Sequence, residues 1–241
     1  MGCRRRWALS LLLILAGCAG EQPDPLPGFP RLILWAWERP ENLTFLVPKA
    51  TGVAFLSATI TIAGDGSSYR PRMQPLRVPA ATRMIAVVRV ESRGAHRIAA
   101  EEVAEQVLRA VAWPQVGAAQ IDYDASLSER AFYRQLLGEL RRRLPAGMPL
   151  EMTALVSWCL GDDWLRGLPV VDAVPMFFRM GADPHKVTEP LREPLCGSSI
   201  GISTDEFYTS IPGRRRVFVF HPRAWTETDY RALLVESAKW Q

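Results

Sequence analysis

Val116-Gly117-Ala118-Ala119-Gln120-Ile121-Asp122-Tyr123, then Ser128 through Leu144, then Leu150-Glu151-Met152-Thr153-Ala154-Leu155-Val156, is the stretch that decides the fold. The two flanking runs are short, apolar and strand-like. Between them Phe132, Leu136, Leu137 and Leu140 fall on one face of a helix that Ser128 can cap. Side chains alternate along a strand, so Gln120, Asp122 and Asp124 share one face. Ile121 and Tyr123 take the other and would pack under helices.

The same rhythm extends in both directions. Strands are expected at 32–37, 53–62, 84–90, 116–123, 150–156, 171–178, 200–203 and 217–220. Helices are expected at 99–111, 128–144 and 226–239, with short ones at 40–46 and 162–168. In 99–111, Val103, Val107, Leu108 and Val111 carry the helical spacing. Gly64 to Ser68 is a turn, and the Pro-containing stretch to Ala81 is an excursion without a clear helix. Eight strands with interleaved helices indicate an α/β fold, a small (β/α)8 TIM-like barrel with several short or degenerate helices. The competing architecture is an open doubly wound sheet. No G-x-G-x-x-G follows the first strand, which removes its commonest nucleotide-binding form.

The chain has 241 residues, 48% hydrophobic and 22% charged, a balance that excludes wholesale disorder, collagen and a coiled coil. Arg4 to Arg6, the apolar run from Trp7 and Leu15-Ala16-Gly17-Cys18 read as a lipoprotein signal over residues 1–17. Cys18 is the expected lipidation site, and the protein is then anchored in the cell envelope through its N-terminal lipid. Ala19 in place of Asp favours the periplasmic side of an outer membrane. Residues 18–30, with Pro23, Pro25, Pro27 and Pro30, form an extended tether, and 31–241 form a single barrel domain.

The signal holds three of the 29 basic residues, so 26 remain against 25 acidic. The formal charge of +4 therefore belongs mostly to the signal. Arg141 to Arg143 end a helix and Arg214 to Arg216 open a strand, so no nucleic-acid partner is expected. Cys159 and Cys196 are the remaining pair in an oxidising compartment and are disulfide candidates.

In a barrel, function sits at the C-terminal strand ends. Those positions carry Glu38, Glu91, Asp122, Asp124, Ser157, Trp158, Arg179, Asp205, Glu206 and His221. Inward carboxylates are costly unless paired, and crowding keeps one of two carboxyls protonated. Such a pair suits glycosidic bond cleavage. The structural alternative is a salt-bridged pair holding Arg179 or Arg89. Trp35, Trp37 and Trp158 offer flat rings for sugars, or simply core packing.

Gly197-Ser198-Ser199-Ile200-Gly201 matches G-x-S-x-G, and Asp205 and His221 follow in hydrolase order. A nucleophile elbow needs a strand before the serine and a helix after it, whereas a strand follows here. Asp122, Asp124 and His221 are a sparse set for a metal, and no metal or cofactor is expected.

Trp35-Ala36-Trp37-Glu38-Arg39-Pro40-Glu41-Asn42-Leu43, Gln120-Ile121-Asp122-Tyr123-Asp124, Met152-Thr153-Ala154-Leu155 with Ser157-Trp158-Cys159, and Val174-Pro175-Met176-Phe177-Phe178-Arg179-Met180-Gly181 resemble a bacterial family, the domain of unknown function 3142. The resemblance covers roughly residues 31–225 and implies a glycosidase-like barrel exported to the envelope. The fourth strand also resembles that of chitinase-type barrels. It departs from them in having Ser126, not Glu, two residues beyond Asp124, so an acid from another strand is required.

These readings give an envelope lipoprotein acting on a glycan, such as a polysaccharide or peptidoglycan. Asp124 and Glu38 are the expected carboxylate pair, with Asp122 tuning Asp124. Arg179, Trp158, His221, Trp37 and Glu206 are the expected substrate-binding residues. The alternative is a barrel that binds glycan or an envelope protein without catalysis.

Overall fold

The computed structural model describes residues 24–180, 191–206 and 215–240. The expected signal and lipidation site, residues 1–17 and Cys18, lie outside them. Eight parallel strands close into a barrel: β1 (Leu32–Ala36), β2 (Thr51–Gly64), β3 (Met84–His96), β4 (Val116–Asp122), β5 (Leu150–Leu155), β6 (Asp172–Met176), β7 (Ser199–Ser203) and β8 (Arg216–Phe220). Neighbours in sequence are neighbours in space, and β1 pairs with both β2 and β8, which leaves the cylinder without an open edge.

Alternation fixes what each strand presents. Ile33 and Trp35 of β1, Ile85 and Val87 of β3, Val174 of β6 and Phe218 of β8 fill the interior as one cluster. Leu34, Val88, Ile121, Met152, Ala173 and Val219 face outward into a larger core under the helices. Both faces of the strands are buried, as a parallel sheet requires. A buried aliphatic side chain of this kind contributes about 1.5–3 kcal/mol.

The helices are few. α1 (Ala100–Val111) buries Val103, Val107 and Val111, while Leu108 is only partly buried. α2 (Arg130–Arg143) buries Tyr133, Leu136, Leu137 and Leu140. Its first apolar anchor is therefore Tyr133, one residue beyond the expected Phe132. Its cap also moves: Ser126, not Ser128, forms the capping box with Glu129 over a 3-10 turn at Leu127–Glu129. α3 (Val156–Gly161) is short, and α4 (Glu227–Ser237) is capped by Thr226 and Asp229.

Three other expectations change. Residues 40–46 are not helical; Glu41–Asn42 pairs in parallel with Leu76–Arg77. Pro40 and the Glu41 carboxylate, which accepts from Arg39 and from the Trp225 amide, hold that segment extended. The 162–168 stretch holds only a 3-10 turn at Asp163–Leu165. β2 and β3 run to 14 and 13 residues, beyond the expected 53–62 and 84–90. Gly64 takes a positive φ of 55°, and the chain turns back as an antiparallel strand, Gly66–Pro71.

The folded domain also starts earlier than residue 31. Leu26 is fully buried and belongs to the interior cluster, with Phe29 packed beside it. Arg216 of β8 donates to the Asp24 carboxylate and to the Leu26 carbonyl. The segment 24–30 thus plugs the N-terminal end of the barrel rather than serving as tether. Cys159 of α3 and Cys196 are joined by a disulfide.

Candidate functional site

At the C-terminal ends of the strands lies a cavity of about 280 Å³, lined among others by Trp35, Trp37, Arg89, Asp122, Asp124 and Arg179. Strand alternation supplies the lining. Trp37 continues the inward series of Ile33 and Trp35. Arg89 continues Ile85 and Val87, and Asp122 and Asp124 continue Gln120. Gln120 itself is buried and accepts a hydrogen bond of 3.2 Å from the Trp35 indole.

Asp122 is the fixed point of the site. Its side chain is 9% exposed. One oxygen accepts from the Thr153 hydroxyl at 2.8 Å and the other from Arg89 at 3.1 Å. Burial raises its pKa above the ordinary value, and Asp124 adds to the rise. Arg89 and the Thr153 hydrogen bond oppose it without cancelling it. Arg89 also donates to Glu91 at 2.8 Å, and its guanidinium lies 5.9 Å from the Trp37 ring centroid. Asp124 lies at the exposed rim.

The opposite wall is aromatic. Phe178 and Phe220 stack with centroids 5.6 Å apart and planes 7° from parallel. The Arg179 guanidinium sits 5.3 Å from the Phe220 centroid. Arg179 has φ 53°, rare for a residue with a side chain, and its amide donates to Glu206 at 2.8 Å. Glu206 therefore holds a strained turn and stands beside the cavity rather than in its lining.

Three expected site residues lie elsewhere. Glu38 follows inward Trp37, so its side chain takes the other side and pairs with Arg70 of the antiparallel strand. It does not line the cavity. Trp158 falls in α3 because β5 ends at Leu155. It is 3% exposed and meets Trp164 edge-on, out of reach of the mouth. His221 follows inward Phe220 and turns outward, where it stacks on Trp225 and bonds Thr204 through Nδ1 at 2.5 Å. Burial lowers its pKa against the opposing pull of Asp229.

Arg89, Thr153, Phe178 and Phe220 were not chosen as site residues from the sequence, although the same alternation marks each of them as inward. Ser199 of G-x-S-x-G is fully buried, opens β7 and points into the barrel near its N-terminal end. No helix follows it. Gly201 is needed for close approach, because a Cβ there would lie 3.0 Å from both Trp35 and Met176. Among the described residues, no group of three or more His, Cys, Asp or Glu is arranged to hold a metal ion.

Fold and mouth together define a class: a small parallel α/β barrel whose C-terminal cavity sets two carboxylates, Asp122 and Asp124, beside two arginines, Arg89 and Arg179, and is half aromatic. Comparison with protein-family models, with curated proteins and with solved structures gives no match.

Proposed function

We propose that the protein is an envelope-anchored lipoprotein whose barrel hydrolyses a glycan at the strand-end carboxylates. The observation that supports this best is the placement of Asp122 and Asp124 together on the cavity wall, opposite an aromatic face. Asp124 is the carboxyl that reaches substrate. With Glu38 turned away, the cavity lining holds no carboxyl from another strand, so Asp122, whose burial favours the neutral form, takes the second role and can hold a proton beside Asp124. Adjacent inward residues on one strand are about 6.5–7 Å apart at Cα, which leaves both spacings used by glycosidases within side-chain reach. Trp37, Phe178 and Phe220 offer flat surfaces to sugar rings, and Arg179 a fork of donors. The motifs that resemble the domain of unknown function 3142 fit this reading.

One set of contacts favours a second reading, a glycan-binding barrel without catalysis. Arg89 holds Asp122 and Glu91, and Arg70 holds Glu38, so three of the candidate acids are tied in ion pairs. The deciding experiment incubates the protein with peptidoglycan, exopolysaccharides and chitin-like oligomers and sizes the products by mass spectrometry. Hydrolysis predicts cleavage that falls about 10²-fold or more in Asp124→Asn. Binding without cleavage, equal in wild type and variant, would establish the second reading.

A further inference from the structure

The mouth cavity is not isolated. A second, larger groove of about 920 Å³ runs beside it, and the two share Arg89, Asp122 and Asp124 as lining. The groove exists because β3 overruns the barrel. The other barrel strands apart from β2 are five to seven residues long, whereas β3 continues to His96. Its overrun forms one wall. The loop after β4, tied down by the Ser126–Glu129 capping box, forms the other.

Asp124 therefore stands at a junction, with space on both sides. A single small ligand needs a pocket of about 300–1,000 Å³ that encloses it. Here a cavity near the lower bound adjoins a groove near the upper one, with three residues common to both linings, which suits a chain running through rather than a molecule held at a dead end.

The charges along this path are balanced in number but not all paired, and Asp124 has no ion-pair partner among the described residues. Arg89 is occupied by Glu91 and Asp122, and Arg97 by Asp65. The Glu129 carboxylate is consumed locally. Burial alone would raise its pKa, but hydrogen bonds from Ser126 and Ser92 bring it down to about 2. Of the arginines that line the cavity and groove, two have no carboxylate ion pair with a described residue: Arg179 at the mouth and Arg93 on the β3 overrun. In the same groove the buried Nδ1 of His96 has no hydrogen-bond partner, and its ring sits edge-on to Phe132 at 4.6 Å.

We propose that cavity and groove form one continuous track for an acidic polysaccharide, held at the mouth by Arg179 and along the overrun by Arg93. A guanidinium binds a carboxylate through two parallel hydrogen bonds, so repeated uronate carboxyls match a path with separated arginines. The inference rests on the glycan reading and adds the polymer's charge and its passage past Asp124 on both sides.

The test is binding, kept apart from cleavage. The full chain carrying Asp124→Asn, in non-ionic detergent, is titrated calorimetrically with a galacturonate ladder from dimer to decamer and with a cello-oligomer ladder. The expected result is affinity for the acidic ladder that rises with length and weakens with salt. Arg179→Gln should lower affinity about tenfold at every length, and Arg93→Gln about tenfold for the long oligomers only. Equal binding of both ladders, affinity independent of length, an Arg93→Gln effect that does not depend on length, or no binding of the acidic ladder would each overturn the proposal. Cleavage of a neutral glycan by the wild type would sink the acidic track and leave the hydrolase reading intact. An acidic track without cleavage would do the reverse.

Discussion

Two residues of the barrel interior, far from the mouth, carry the sharpest pH dependence. Glu151 of β5 and Asp172 of β6 are register partners on adjacent strands, and both are fully buried. Neither Glu151 oxygen has a hydrogen-bond partner. Burial raises the Glu151 pKa well above the ordinary value, Asp172 adds to it, and Arg216 only partly offsets the rise. Asp172 is raised by burial to about 7, against the pull of Ser199 and Arg216. The folded chain therefore keeps protons that the unfolded chain releases near the ordinary carboxylate pKa. A raised folded pKa means stability that is full at low pH and is lost as pH rises through the folded value. The unfolding free energy should fall as pH rises from about 4 through about 7. Glu151→Gln should flatten that fall, since it removes one of the two titrating groups. Urea titrations across that range would check it, and an equally steep fall in the variant would refute it.

At the scale of elements, α3 and the disulfide compensate for the sparse helical cover. α3 has six residues, too few to stand by itself. Its Cys159 is bonded to Cys196 beside β7, which closes a loop of 37 residues around β6. Backbone amides of Arg192 and Glu193 also donate to the Cys159 carbonyl. Replacing both cysteines with serine should cost about 3–4 kcal/mol by the chain-entropy argument. Wild type under reducing conditions should lose the same amount, and a double variant as stable as the oxidised wild type would contradict this. The same element shows where sequence reading slipped. β5 was expected to reach residue 156, but the chain turns helical at Val156, which rotates Trp158 away from the mouth and into the core. Serines at 126 and 128 both suit an N-cap, and only the approach of Glu129 selected Ser126.

For the whole molecule, closure is the main fact. Each strand buries both faces only because β1 meets β8 as well as β2, so no part of the barrel has a core of its own. The N-terminal end is sealed by Leu26, held through Arg216 and Asp24. Leu26→Ala should lower stability by about 2–4 kcal/mol, through lost burial and the void left behind. Denaturant unfolding should remain a single transition with an unchanged slope, because plug and barrel form one cooperative unit. A separate early transition in that variant would mean that the segment is an independent appendage.

The sequence by itself determined the barrel, its strand order and part of the inward set. Period-two alternation is a local property, and it already placed Gln120, Asp122 and Asp124 on one face. Applied without exception, it would have directed Glu38 and His221 outward and drawn in Arg89, Thr153, Phe178 and Phe220. Tertiary structure decided what alternation does not encode: how far β2 and β3 overrun, which arginine meets which carboxylate, and what seals the barrel floor. Those outcomes join residues dozens to nearly two hundred positions apart, such as Arg89 with Asp122 and Arg216 with Asp24. Side-chain pairing at that range follows from closure of the cylinder, which brings distant strand ends to a common mouth and a distant segment to a common floor.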